Sequence, residues 1–262
     1  MKKPLPVPQD VRVMNLLSAS LMVALLLLAL SGMLLALTRL PMFAIAGVTV
    51  RGDVEHNNVV TLRANVLPRL SGNFFNVDLA RARAAFEAMP WVRRATVRRE
   101  FPNRLSVTLQ EHQAVAFWGA DNESRMVNSF GELFEANPGE IDREDLPRFH
   151  GPEGQSAQLL AMYRALKDRF SLLETEPEQI QLSNAGNWRM QFENGAAIEL
   201  GRGSEAQILQ RIERFAASLT QVSARYGRKP SSLESADLRY EQGFALRLRG
   251  VTTAIEISKK QG

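Results

Sequence analysis

The sequence predicts an α+β protein with one N-terminal transmembrane helix, a small strand-helix-helix-strand-strand domain, and then a β-rich domain with two longer helices. Three observations carry that prediction. Residues 13–38 hold no charged side chain, residues 105–110 alternate between apolar and polar as a strand does, and apolar stripes at helical spacing recur at 156–173 and 204–226 among further strand-like runs. With 45% apolar and 23% charged residues in 262, the composition is that of an ordinary globular chain, which excludes disorder, collagen and coiled coil.

The uncharged segment comes first. As helix, residues 16–37 would extend roughly 33 Å, enough to cross a hydrocarbon core of about 30 Å. A buried helix of a soluble protein is rarely apolar all round for that length, so residues 16–38 are assigned to a membrane span and residues 1–15 to a tail before it. A cleaved signal peptide is the rival. Ala44-Ile45-Ala46 has the small-x-small look of a cleavage site, but the apolar run is too long, and Arg39 and Pro41 separate it from that site. A retained anchor is therefore favoured. Lys2, Lys3 and Arg12 on one side face Arg39 and Arg51 on the other, a positive-inside difference of only one, which leans towards a cytoplasmic N-terminus.

Beyond the span, Ile45 to Val50 reads as a strand ending in the turn signal Arg51-Gly52-Asp53. Asn57-Asn58 can cap a short helix through about Leu67, closed by Pro68 and Gly72. Asp78 is an N-cap for a helix with Leu79, Ala82, Phe86 and Met89 on one stripe, which Pro90 stops. Val92 to Glu100 and the run containing Leu105, Val107 and Leu109 form two strands around Phe101-Pro102-Asn103. A three-stranded sheet covered by two helices satisfies this order economically.

The second domain, residues 113–262, opens with strands at 114–118, 126–128 and 132–134, and residues 138–156 look like a loop rich in Pro, Gly and acids. A helix from Ser156 to Leu173 carries the stripe Leu159, Tyr163, Leu166, Phe170 and Leu173. Strands at 180–183, 188–193 and 196–200 follow, the last two joined by the hairpin turn Asn194-Gly195. A second helix, Ser204 to Tyr226, presents Ile208, Ile212, Phe215, Leu219 and Val222. Strands at 233–240 and 244–249 come next, with a further one expected over 251–257.

Chemistry is excluded more readily than assigned. The chain has no Cys, and His56, His112 and His150 are too scattered to form a ligand cluster by spacing. It lacks a G-x-S-x-G elbow and a Walker loop. Gly201-Arg202-Gly203-Ser204-Glu205-Ala206 satisfies a dinucleotide pattern formally. The Asn194-Gly195 hairpin, however, makes the local pairing antiparallel where a dinucleotide fold needs a parallel βαβ unit, and Ser204 with Gln207 reads better as a capping box. Nor does the net charge of +4 signify nucleic acid. Residues 43–112 carry ten Arg against six acids, but residues 113–262 carry 18 Lys and Arg against 21 acids.

The stretches Phe43-Ala44-Ile45, Val48-Thr49-Val50-Arg51-Gly52, Asn76-Val77-Asp78-Leu79, Pro90-Trp91-Val92, Val97-Arg98-Arg99 and Phe101-Pro102-Asn103-Arg104-Leu105 together resemble a polypeptide-transport-associated (POTRA) domain over residues 43–112. Placed after a single membrane span and before a β-rich unit, they resemble the FtsQ/DivIB family of cell-division proteins. The resemblance implies a non-enzymatic scaffold that needs no cofactor. It would be a single-pass type II protein of the inner membrane, mostly periplasmic, linking early and late division proteins at the septum. It implies partners FtsB and FtsL, and leaves self-association as a homodimer open.

The resemblance also nominates residues. Val97, Arg99 and Glu111 match positions needed for septal recruitment. Asp237-Leu238-Arg239-Tyr240 with Gly243 resembles the segment whose edge accepts a strand from FtsB, by β-augmentation. Arg202 matches a further basic position of that interface. Gln242 stands where relatives can have a small hydroxyl residue, and Leu248 where an aromatic can occur. The rival reading is a POTRA-bearing component of a secretion or outer-membrane assembly system, and an enzyme with an unrecognised site is a third.

Overall fold

The computed structural model describes residues 9–56, 64, 66, 68, 72–120, 123–141, 145–240 and 243–252. The first eight residues of the tail, most of the helix expected over 57–67, Gln242, and the strand expected at 251–257 beyond Thr252 lie outside the described residues. Two compact units divide at Glu111 and His112.

In the first unit, helix α1 (Gln9–Thr38) begins one to two turns before the expected span, because nothing in Asp10 to Asn15 breaks a helix. Its leucines are exposed all round, as a helix solvated by lipid would have them. Strand β1 (Gly47–Gly52) is shifted two residues from the expected run, so the turn signal Gly52 is itself the last rung of a ladder. Asp78 caps helix α2 (Leu79–Glu87), its carboxylate accepting from the Ala80 and Arg81 amides. Strands β2 (Val92–Glu100) and β3 (Arg104–Glu111) form an antiparallel hairpin.

The sheet order is β1-β3-β2, with β1 parallel to the central β3. Leu105, Val107 and Leu109 of β3 are buried, while Ser106, Thr108 and Gln110 between them face outward. Val107 and Leu109 pack with Ala95 of β2 and Ala85 and Phe86 of α2, and Val66 joins the same core.

The second unit is a nine-stranded sheet. Its strands are β4 (Ala114–Trp118), β5 (Arg125–Asn128), β6 (Leu133–Glu135), β7 (Arg148–His150), β8 (Pro177–Leu182), β9 (Trp188–Phe192), β10 (Ala197–Gly201), β11 (Leu233–Asp237) and β12 (Ala245–Leu248), in the spatial order β12-β11-β10-β9-β8-β7-β4-β5-β6. Strand β7 corrects the loop reading of 138–156. With three residues it is too short to show a period, and what holds it is parallel pairing to β4 and β8 with Phe149 buried between.

Helix α3 (Ser156–Lys167) also ends before the expected Leu173. The chain tightens into a 3-10 stretch, Asp168–Leu173, that still turns Phe170 and Leu173 into the core. Helix α4 (Glu205–Arg225) keeps the expected stripe through Leu219, after which Ser223 is buried and Val222 only half-buried.

Helix α3 packs on β8 and α4 on β10. Trp188, Met190 and Phe192 of β9 are buried in the core that also holds both helices' apolar stripes, whereas Arg189 and Gln191 alternate to the other side. The hairpin β9–β10 is antiparallel as its Asn-Gly turn requires. On its other side, however, β10 pairs parallel with β11, so β10-α4-β11 is a βαβ crossover, contrary to the expectation above. A central strand has two neighbours, and a hairpin constrains only one.

The start of α4 is closed by its own side chains. The Ser204 hydroxyl accepts from the Gln207 backbone amide at 3.4 Å, and the Gln207 side-chain Oε1 accepts from the Ser204 backbone amide at 2.9 Å. Ser204→Ala should cost about 1 kcal/mol and speed hydrogen exchange at the first amides of α4, measured on the solubilised full chain.

Candidate partner-binding surfaces

Strand β12 is the terminal strand of the sheet, paired on one side to β11 and on its far side to no described strand. Beside it the chain builds a basic and aromatic surface. Strand β11 stops at Asp237, short of the expected Tyr240, because the Asp237 carboxylate accepts from the Arg239 amide two residues on, at 3.0 Å. The same carboxylate takes the Arg239 guanidinium in a fork, with Nη2 to Oδ2 at 2.6 Å and Nε to Oδ1 at 2.9 Å.

That pairing holds the Asp237 carboxyl below the usual carboxylate range and pushes the Arg239 guanidinium up. Because the folded-state value is lowered, the pair adds stability above the ordinary carboxylate range and loses it as pH falls through the lowered value. Arg239 remains exposed, and Tyr240 is 61% exposed.

Behind Arg239 lies Gly201, whose positive φ of +79° ends β10; a Cβ there would come within 3.1 Å of Arg239 Cγ and 3.2 Å of Arg211 Nη1. Arg211 donates to the Leu200 and Arg202 carbonyls, fixing the loop that presents Arg202, and the exposed Arg202 donates to Asn187 Oδ1 at 3.2 Å. Arg211, Arg214, Tyr240, Gly243 and Phe244 line a cleft of about 360 Å³, and Phe244 is seated edge-on against Phe215 of α4 at 5.2 Å.

Of the five residues nominated at this edge, Arg202, Arg239, Tyr240 and Gly243 are exposed. Leu248 is not: it is 3% exposed and belongs to the core, opposite Leu233. Strand alternation turns it inward, so it can serve a partner through its backbone, not its side chain.

Sequence reasoning missed Arg211, Arg214 and Phe244. The two arginines sit on the polar face of an amphipathic helix, and only the fold brings that face beside Tyr240, Gly243 and Phe244.

The three nominated positions of the first unit have a different character. Val97 is half-buried against the core. Arg99 donates to the Val77 carbonyl at 2.9 Å, tying the end of β2 to the start of α2. The Glu111 side chain is 4% exposed. Its Oε2 accepts from the Glu55 and His56 amides, each at 3.1 Å, and lies 3.2 Å from His56 Nδ1, while the His56 ring stacks on Trp91 at 3.9 Å. These side chains fasten the segment after β1 to the end of β3. Among the described residues no three His, Asp or Glu side chains converge as metal ligands.

Comparison with known proteins agrees with this geometry unit by unit. Residues 43–112 match the family described as POTRA domain, FtsQ-type, and residues 116–239 match Cell division protein FtsQ/DivIB, C-terminal. A cell division protein FtsQ of Burkholderia pseudomallei is 43% identical, over 95% of this chain and 98% of its own length. Those of Thiomonas arsenitoxydans and Bordetella pertussis are each 38% identical, over 95% and 91% of this chain and 91% and 92% of theirs. An N-terminal apolar helix, a POTRA sheet and a β-rich unit thus occur together in a chain that is similar to these relatives over nearly its whole length, and it belongs to the FtsQ/DivIB family of cell-division proteins.

Proposed function

We propose that this chain is a non-catalytic divisome scaffold of the inner membrane that engages FtsB, and with it FtsL, along the edge of β12 and in the basic and aromatic cleft beside it. In this reading residues 1–15 are a cytoplasmic tail, residues 16–38 span the membrane, and the POTRA domain (43–112) and the β domain (113–262) are periplasmic. The observation that supports it most is the juxtaposition of a terminal strand with Arg202, Arg211, Arg214, Arg239 and Tyr240. A strand edge offers amides and carbonyls to any extended segment; cations and a large aromatic beside it select one carrying carboxylates. Val97, Arg99 and Glu111 then serve recruitment by holding the shape of the POTRA domain.

The test is titration of the full chain in nanodiscs with the periplasmic segment of FtsB, read by calorimetry and by hydrogen exchange. Saturable binding that weakens with salt, with added protection at residues 245–248, is the expected result. Binding that leaves exchange at 245–248 unchanged would move the partner to another surface.

A further inference from the structure

Three short segments of the first unit gather at the end of α1. The chain leaving the helix is not a slack linker: the Arg39 and Leu40 amides donate to Ala36 and Leu37, and Pro41–Phe43 forms a 3-10 turn. Asn73 reaches back to the Thr38 carbonyl with its Nδ2 at 2.8 Å, the Phe74 amide donates to Phe43 at 2.9 Å, and the Ala46 amide donates to Asn103 at 2.9 Å. The result is an aromatic group at the helix exit. Phe43 lies 4.9 Å from Phe75 and 6.5 Å from Phe101, and Phe74 lies 5.3 Å from Phe75 and 5.8 Å from Phe101, centroid to centroid.

This group is poorly covered. Phe101 is 71% exposed and Phe75 48%, with Met42 and Leu40 exposed beside them. Such a cluster is costly in water, at about 25 cal/mol per Å² of apolar surface. Its position says what covers it. The 29 residues from Asp10 to Thr38 make about 43 Å of helix, against about 30 Å of hydrocarbon and about 40 to 45 Å with headgroups. With Asp10 at one headgroup layer, Thr38 and the phenylalanines bonded around it stand in the other. Arg39 and Arg104, both exposed, flank the group with charge that suits anionic headgroups, and Glu100, the acid next to Phe101, is half-buried.

We propose that Phe43, Phe74, Phe75 and Phe101 seat in the interfacial layer of the bilayer that α1 crosses, giving the POTRA domain a second hold on the membrane. Apolar rings at that depth exchange water for the boundary of the acyl chains, as the apolar face of an interfacial helix does. The proposal rests on α1 spanning the membrane, and the experiment separates the two claims. The chain has no Cys, so single cysteines introduced into the full-length protein can each carry a nitroxide label in vesicles of phosphatidylcholine and phosphatidylglycerol.

Labels at Phe101→Cys and Met42→Cys should show a several-fold higher ratio of oxygen to nickel-complex collisions than one at Thr108→Cys, exposed about 13 Å further along β3. A label at Leu27→Cys reports the span itself. Lipid-like collisions at Leu27 with aqueous collisions at Phe101 and Met42 would overturn the proposal alone. A label at Phe101 shielded from both reagents would also overturn it, by showing a protein in the bilayer's place. Aqueous collisions at Leu27 would remove the membrane span and the proposal together.

Discussion

Glu111→Ala should loosen the first folded unit by about 2 to 4 kcal/mol, with fast hydrogen exchange at the Glu55 and His56 amides as the local sign. The carboxylate is almost wholly enclosed and takes both amides on one oxygen. Removing it leaves two donors without their acceptor, each costing about 1 to 3 kcal/mol when water cannot fully replace it. Glu111→Lys should cost more, because it places an ammonium where a carboxylate accepted bonds.

The variant that separates a structural role from a direct contact is Glu111→Gln. Its amide oxygen can still accept from both amides, so the domain should keep most of its stability and the full chain should still localise to the septum. A folded Glu111→Gln protein that fails to localise would show that the charge itself meets a partner, and the structural account of this position would fall.

The other large effect belongs to the C-terminal edge. Tyr240→Ala and Arg239→Glu should each weaken FtsB binding by about 1 to 3 kcal/mol, in nanodisc titrations of the full chain. Tyr240 is the more informative of the two, since its ring is 61% exposed. Arg239 already holds Asp237 in its fork, so a partner carboxylate must compete for it. Asp237→Asn removes that competitor and should tighten binding if the guanidinium meets an acid. Unchanged affinity in Tyr240→Ala and Arg239→Glu, with both folded, would take this surface out of the interface.

Much of the scaffold was legible because long elements repeat their signal. The charge-free span, the Asp78 cap, the alternation at Leu105, Val107 and Leu109, and the Ser204–Gln207 capping box are each local, and each is found in the structure. What could not be read was decided by neighbours. Strand β7 is three residues long and exists because β4 and β8 flank it. The parallel partner of β10 arrives more than 30 residues later, after the whole of α4. The surface beside β12 was half legible: Arg239 and Tyr240 stand next to each other in sequence, whereas Arg211 and Arg214 join them only across a helix. Leu248 was legible as an inward residue, since it alternates with Arg247 and Arg249, and the structure seats it opposite Leu233.

From β7 onward the chain lays down strand, helix, parallel strand, antiparallel strand, and then does so again: β7-α3-β8-β9 is followed by β10-α4-β11-β12. These six of the nine strands thus form a tandem of two equivalent modules, in which β12 is to the second what β9 is to the first. Strand β9 is flanked on its far side by β10, the opening strand of the next module, which runs antiparallel to it. A segment docking on β12 takes the place of the opening strand of a third module, and continuing the tandem means running antiparallel to β12.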